Sequence, residues 1–173
     1  MSGAGAMRCF IACFLDDDSA GRLVSGMPRL EGIRQVSGEN LHVTLQFLGN
    51  VAEERCEPIR QAVMALGGQP TTTRVLTVTG YPSPVRARTI VARLKPDPKL
   101  LGWHDALSDL LKPTAGARKF DPHVTLGRSR AGIRVPELSE FDGVEIGLRT
   151  PALYRSETRP EGARYSILNL SSR

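Results

Sequence analysis

Only three cysteines, Cys9, Cys13 and Cys56, occur in 173 residues. That is too few and too irregular for a disulfide-stapled secreted scaffold. Cys9 and Cys13 share strand parity inside an apolar run, which fits buried free thiols. Aromatic residues make up 5% of the chain, so a broad stacking platform for RNA bases is not favoured. No apolar run approaches the roughly 18 residues that span a bilayer. The opening "MSGAGAM" has neither the basic nor the apolar region of a signal peptide. Residues 1–6 therefore read as a flexible leader, and the cytoplasm is the expected location. A Walker loop, a G-x-G-x-x-G turn and a G-x-S-x-G elbow are all missing, which removes the usual nucleotide-triphosphate, dinucleotide and serine-hydrolase readings.

What is present is ordinary in bulk. Hydrophobic residues are 40% and charged residues 24% of a chain long enough to bury a core. The net charge of +5 suits an anionic partner without naming one. "MRCFIACFL" reads as a buried strand, and "DDDSAGRLVSGMPRL" as a short helix with an acidic first turn. "LHVTLQFLG" reads as a strand ended by Gly49-Asn50, and "VAEERCEPIRQAVMALGG" as a helix stopped by its glycines. "TTTRVLTVTGYP" and "RTIVARL" are strands, "LLGWHDALSDLLK" is an amphipathic helix, and "PHVTLGR", "GVEIGLRTPALYRS" and "ARYSILNLS" are strand-like. This order predicts an α+β fold.

The chain has three histidines, and two of them open the same tetrapeptide, His-Val-Thr-Leu, at 42–45 and 123–126. Residue frequencies make such a coincidence about a one-in-a-thousand event. Strand alternation sends His42 and Thr44 to one face and Val43 and Leu45 to the other, and treats His123, Thr125, Val124 and Leu126 alike. Two similar lobes with facing strands would bring two imidazoles and two hydroxyls together. A lone strand histidine is ordinarily a packing residue, and duplicated lobes could preserve the echo without function. Zinc is disfavoured: threonine is not a usual ligand, no third histidine is near and Cys56 has no partner motif. Near pH 7 one imidazole can take a proton from water while a protonated one gives a proton to an alkoxide, and hydroxyls can hold charged oxygens. That inventory fits metal-free opening of a phosphodiester, best of all a strained cyclic one.

The paired H-x-T-x motifs resemble those of the two-histidine phosphoesterase superfamily. "LHVTLQFLG" with "PHVTLGR" is similar to the RNA 2',3'-cyclic phosphodiesterases, also called 2'-5' RNA ligases. "RCFIACFL", "RARTIVARL" and "LYRSETRPEGARYSIL" extend the likeness over most of the chain. The resemblance implies a bilobal α+β fold, two antiparallel sheets facing a central cleft, helices outside and a pseudo-two-fold axis. It implies hydrolysis of a 2',3'-cyclic phosphate on RNA or a nucleotide to a 2'-phosphate without metal or cofactor, with 2'-5' ligation in reverse. His42 would be the proton donor and His123 the proton acceptor, with Thr44 and Thr125 binding phosphate. Arg128 matches as a substrate residue if Gly127 permits a bulge, and Tyr165 is a candidate for stacking on a base. By parity Phe47 belongs to the core. His104 reads as packing. Arg86, Arg88, Arg118, Lys119 and Arg130 are candidate phosphate contacts. No membrane partner and a monomeric state are expected. The alternatives are a non-catalytic RNA or nucleotide binder and a sister phosphodiesterase acting on another cyclic or 2'-5'-linked nucleotide.

Overall fold

The computed structural model of the chain describes residues 5–112 and 119–168. Residues 1–4, most of the expected leader, and Arg118 lie outside the described residues. In chain order the elements are β1 (Ala6–Phe14), α1 (Asp17–Gly26), β2 (Arg34–Gln35), β3 (His42–Ala52), α2 (Glu53–Ala65) and β4 (Thr71–Tyr81). They continue as β5 (Ala87–Leu94), α3 (Pro98–Leu111), β6 (His123–Ile133), β7 (Glu145–Leu148), β8 (Ala152–Arg159) and β9 (Gly162–Ile167). The fold is α+β: antiparallel strands with three helices among the described residues. No helix among them is long and apolar enough to cross a membrane.

Helix ends follow the expected chemistry. Asp16 caps α1 by accepting from Ser19 N–H at 2.8 Å, and two acidic residues follow in the first turn. Asp97 caps α3 by accepting from Leu100 N–H at 3.1 Å, with Pro98 in the first turn, where its missing donor costs nothing. The helices cover one face of the strands. Leu23 of α1, Ile59 and Val63 of α2, and Leu100 and Leu107 of α3 join the inward residues Ile11, Val43, Leu45, Val124 and Leu126 in one core. Each fully buried branched side chain contributes about 1.5–3 kcal/mol. Val43, Leu45, Val124 and Leu126 are therefore the apolar feet of both motifs, as alternation predicts.

The strands run in the order β7-β4-β5-β6-β3-β1-β8-β9, with β2 added on β6. β3 and β6 meet antiparallel through one pair, Val43 and Val124. Two expectations need correction. Gly49-Asn50 does not end the third strand: Gly49 adopts φ +66° and lets the chain bulge and run on to Ala52. "GVEIGLRTPALYRS" is two strands rather than one, because Pro151 has no N–H to donate to a ladder and the chain turns there. Cys9 and Cys13 are free and buried, as expected, and Cys56 is as well.

Candidate active site

The helix-free face of β3 and β6 opens into a cavity of about 630 Å³. His42, Thr44, His123, Thr125, Arg128 and Tyr165 all line it. All six expected site residues thus reach one space. Val43 and Val124 face each other across antiparallel strands, so His42 falls beside Thr125 and Thr44 beside His123. The two histidines then stand diagonally, where Cα atoms of such a ladder are about 7–8 Å apart.

The local frame is repeated around both rings. His42 Nδ1 lies 2.7 Å from the carbonyl of Asn40, and His123 Nδ1 lies 2.8 Å from the carbonyl of Asp121. A carbonyl only accepts, so each Nδ1 carries the proton and each Nε2 is left to work in the cavity. A tyrosine meets each imidazole edge-on: Tyr165 at 5.1 Å and 85° to His42, and Tyr81 at 5.8 Å and 89° to His123.

The surroundings differ. His42 stacks on Phe14 at 4.8 Å and lies against Phe10 at 5.1 Å. Burial in this aromatic wall pushes its imidazole down to about 4, against the pull of the Asn40 carbonyl. The charges of Arg128 and His123 push it the same way. His42 is therefore neutral at pH 7. Cys9 also borders the cavity, but burial pushes its thiol up to about 11, so no thiolate nucleophile stands there.

Bulges set the far end of each motif. Gln46 pairs with Ile11 and Thr44 with Ala12, which leaves Leu45 as the extra residue of β3. Gly127 pairs with Ile90 and Thr125 with Val91, which leaves Leu126 as the extra residue of β6. After each bulge the parity inverts. Gln46 turns inward at 8% exposure and donates to Ser108 Oγ at 2.7 Å. Gly127 turns inward against Ile33, where a Cβ would sit 2.7 Å from the Ile33 methyl. Arg128 consequently faces the cavity with Thr125, as the glycine allows. Phe47 does the same on β3. It is 77% exposed on the cavity wall rather than in the core, which corrects its parity-based placement.

Tyr165 packs edge-on against Phe10, Phe14 and His42 while still bordering the cavity. His104 stacks on Phe120 at 4.2 Å, a packing role. Arg86, Arg88, Lys119 and Arg130 do not line the cavity, whereas Arg8 does and was not foreseen. Arg34 of β2 pairs directly with Arg128. Two cations directly opposite each other repel unless an anion joins them. Asn40, Tyr81 and Asp121 were also missed. The signal for Asn40 and Asp121 was the polar residue two positions before each histidine, "N-L-H" and "D-P-H", whereas Tyr81 carried none.

The LigT like Phosphoesterase family model matches residues 16–91, the stretch that carries the first motif. The chain is 29% identical over 175 residues to the RNA 2',3'-cyclic phosphodiesterase of Archaeoglobus fulgidus, covering 95% of this chain and 99% of that protein.

This chain is similar to the LigT-like phosphoesterases.

A second similar protein is the RNA 2',3'-cyclic phosphodiesterase of Thermus thermophilus. It is 29% identical, with 94% of this chain and 88% of that protein covered. Among solved structures, TT0787 of Thermus thermophilus superposes with a TM-score of 0.74 at 27% identity, over 94% of this chain and 96% of the other. The LigT of E. coli, at 22% identity and a TM-score of 0.74 over 95% and 96% of the two chains, shows the same fold.

Proposed function

We propose that this chain hydrolyses 2',3'-cyclic phosphate ends of RNA or nucleotides to 2'-phosphates. The observation that carries the reading is the convergence of both His-x-Thr motifs on one cavity. The names of its relatives, RNA 2',3'-cyclic phosphodiesterase, supply the substrate class. In this reading one imidazole takes a proton from water, and the water oxygen bonds to phosphorus. The P–O3' bond breaks, and the second imidazole protonates O3'. Thr44, Thr125 and Arg128 hold the non-bridging oxygens as charge builds. The exposed ring of Phe47 offers a base a flat apolar face beside the reacting phosphate.

The order expected from the family resemblance has His42 as donor and His123 as acceptor. A specific observation favours the exchanged order for the free protein: burial leaves His42 neutral, and a neutral imidazole is a base. A bound phosphate brings negative charge next to both rings. Reassignment of the acidic and basic limbs of the pH–rate profile in His42→Asn and His123→Asn separates the two orders.

We infer a bilobal arrangement around the Val43–Val124 pair, since β3-β1-β8-β9 leads away on one side and β6-β5-β4-β7 on the other. Reverse 2'-5' ligation follows from the same chemistry if a 5'-hydroxyl replaces water. The enzyme we propose is metal-independent, because the cleft itself supplies acid, base and oxyanion donors, and we keep the monomeric state and cytoplasmic location expected from the sequence. Turnover of 2',3'-cyclic AMP tests the reading. Activity that survives EDTA is expected; activity that EDTA abolishes and added metal restores contradicts the metal-free route.

A further inference from the structure

Asp121 stands two residues before His123, as Asn40 stands two before His42. Both backbones do the same work, since each carbonyl holds an imidazole Nδ1–H. Their side chains do not. Asn40 Nδ2 donates to the Ala163 carbonyl at 3.1 Å and so ties its loop to β9 without charge. The Asp121 carboxylate accepts from Arg93 twice, Nε to Oδ2 and Nη2 to Oδ1, both at 3.1 Å. It also accepts from Tyr81 Oη at 3.0 Å. Arg93 is the direct cross-strand partner of His123 in the β5–β6 ladder, so their side chains leave the sheet on one face. Tyr81 is the tyrosine that meets the His123 ring edge-on.

The positions around His123 are therefore cationic. Arg93 faces it from β5 and Arg128 from its own strand, while His42 of β3 and Tyr81 of β4 are neutral. None of the described residues lining the cavity is acidic. Asp121 is the negative group that stands behind the ring. A like charge directly opposite disfavours the imidazolium, and a paired one does so far less.

We propose that Asp121 is a positioning residue that neutralises and aims Arg93, so that His123 can carry a second proton while its ring stays fixed. The device belongs to the second motif alone, and it makes the two halves of the repeat chemically unlike. The Asp121 carboxyl is held below the usual carboxylate range first by Arg93, with Tyr81 and His123 adding to the effect. The pair is 41% exposed on each side, so water screens the effect without removing it.

The relevance of the device to turnover rests on the acid–base reading above, but its test does not. In the full-length protein, the His123 ring signals are titrated by NMR in wild type, Asp121→Asn, Arg93→Gln and Tyr81→Phe. Asp121→Asn leaves a bare guanidinium opposite the ring, and the His123 curve moves to lower pH by about half to one unit. Arg93→Gln leaves the carboxylate without its cation, and the curve moves to higher pH. Tyr81→Phe keeps both charges and moves it least. Loosened packing would shift the first two variants in one direction. The same sign in both, or no movement in either, overturns the proposal. Opposite shifts in a protein that fails to open a cyclic phosphate would uphold it and sink the functional reading instead. In an active enzyme, Asp121→Asn lowers kcat more than it raises KM.

Discussion

Val43 of β3 and Val124 of β6 lie directly opposite each other, and among the described residues they are the single register pair joining the two strands. Both side chains point into the core and are fully buried. The polar neighbours of each valine must then point the other way. One apolar contact thus fixes where two imidazoles and two hydroxyls stand. It also explains why the duplicated tetrapeptide needs its Val and Leu as much as its His and Thr.

Burial of His42 makes fold stability depend on pH. The unfolded ring takes a proton near pH 6.5, while the folded one resists until about 4. Above 6.5 both states are neutral and nothing is lost. Between 6.5 and 4 the unfolded chain binds a proton that the fold refuses, so stability falls as pH drops, by at most about 1.4 kcal/mol per unit. Below 4 this loss levels off. Urea midpoints at pH 7 and pH 5 measure it. The gap between them should narrow in His42→Gln; an unchanged gap would mean that the ring is not shielded.

Phe47 contributes to binding rather than to the fold. Its side chain is 77% exposed, so Phe47→Ala should change unfolding free energy by less than about 0.5 kcal/mol. Losing a stacking face should weaken binding of a base-bearing substrate by roughly 5- to 100-fold. The change should appear in KM. A stability loss of several kcal/mol, with KM untouched, would return Phe47 to the core.

Gly127 is required by contact rather than by backbone freedom. A methyl group there would stand 2.7 Å from the Ile33 side chain, under the β2–β6 pair that carries Arg34. Gly127→Ala should cost about 1–3 kcal/mol in a urea titration. It should also lower turnover, because β2 and Arg128 shift together. Wild-type stability and turnover in this variant would show that the bulge tolerates a side chain.

Much of this was legible in the sequence. Every long element was, because apolar periodicity is strong where one face is buried, as in "HVTL" and in Leu100 and Leu107 of α3. The shared face of His42 with Thr44 and of His123 with Thr125 was legible because strand alternation and the repeat agree, whereas Arg128 and Tyr165 were named only through the family resemblance. Phe47 was not. Parity counting assumes an unbroken ladder, and a bulge at Leu45 inverts it without any glycine to announce it. Gly127 announced the equivalent bulge at Leu126, so Arg128 was kept as a candidate. The Arg93–Asp121–Tyr81 cluster was hidden for another reason: its members lie on three elements, and only the register of β5 on β6 brings them together.

The most direct measurement is the product formed from a short RNA ending in a 2',3'-cyclic phosphate, with wild type, His42→Ala and His123→Ala compared under one set of conditions. Wild type should yield a 2'-phosphate with a free 3'-hydroxyl, and each variant, still folded by circular dichroism, should turn over about 10²–10⁴-fold more slowly. A 3'-phosphate product, or full activity in either variant, would contradict the account.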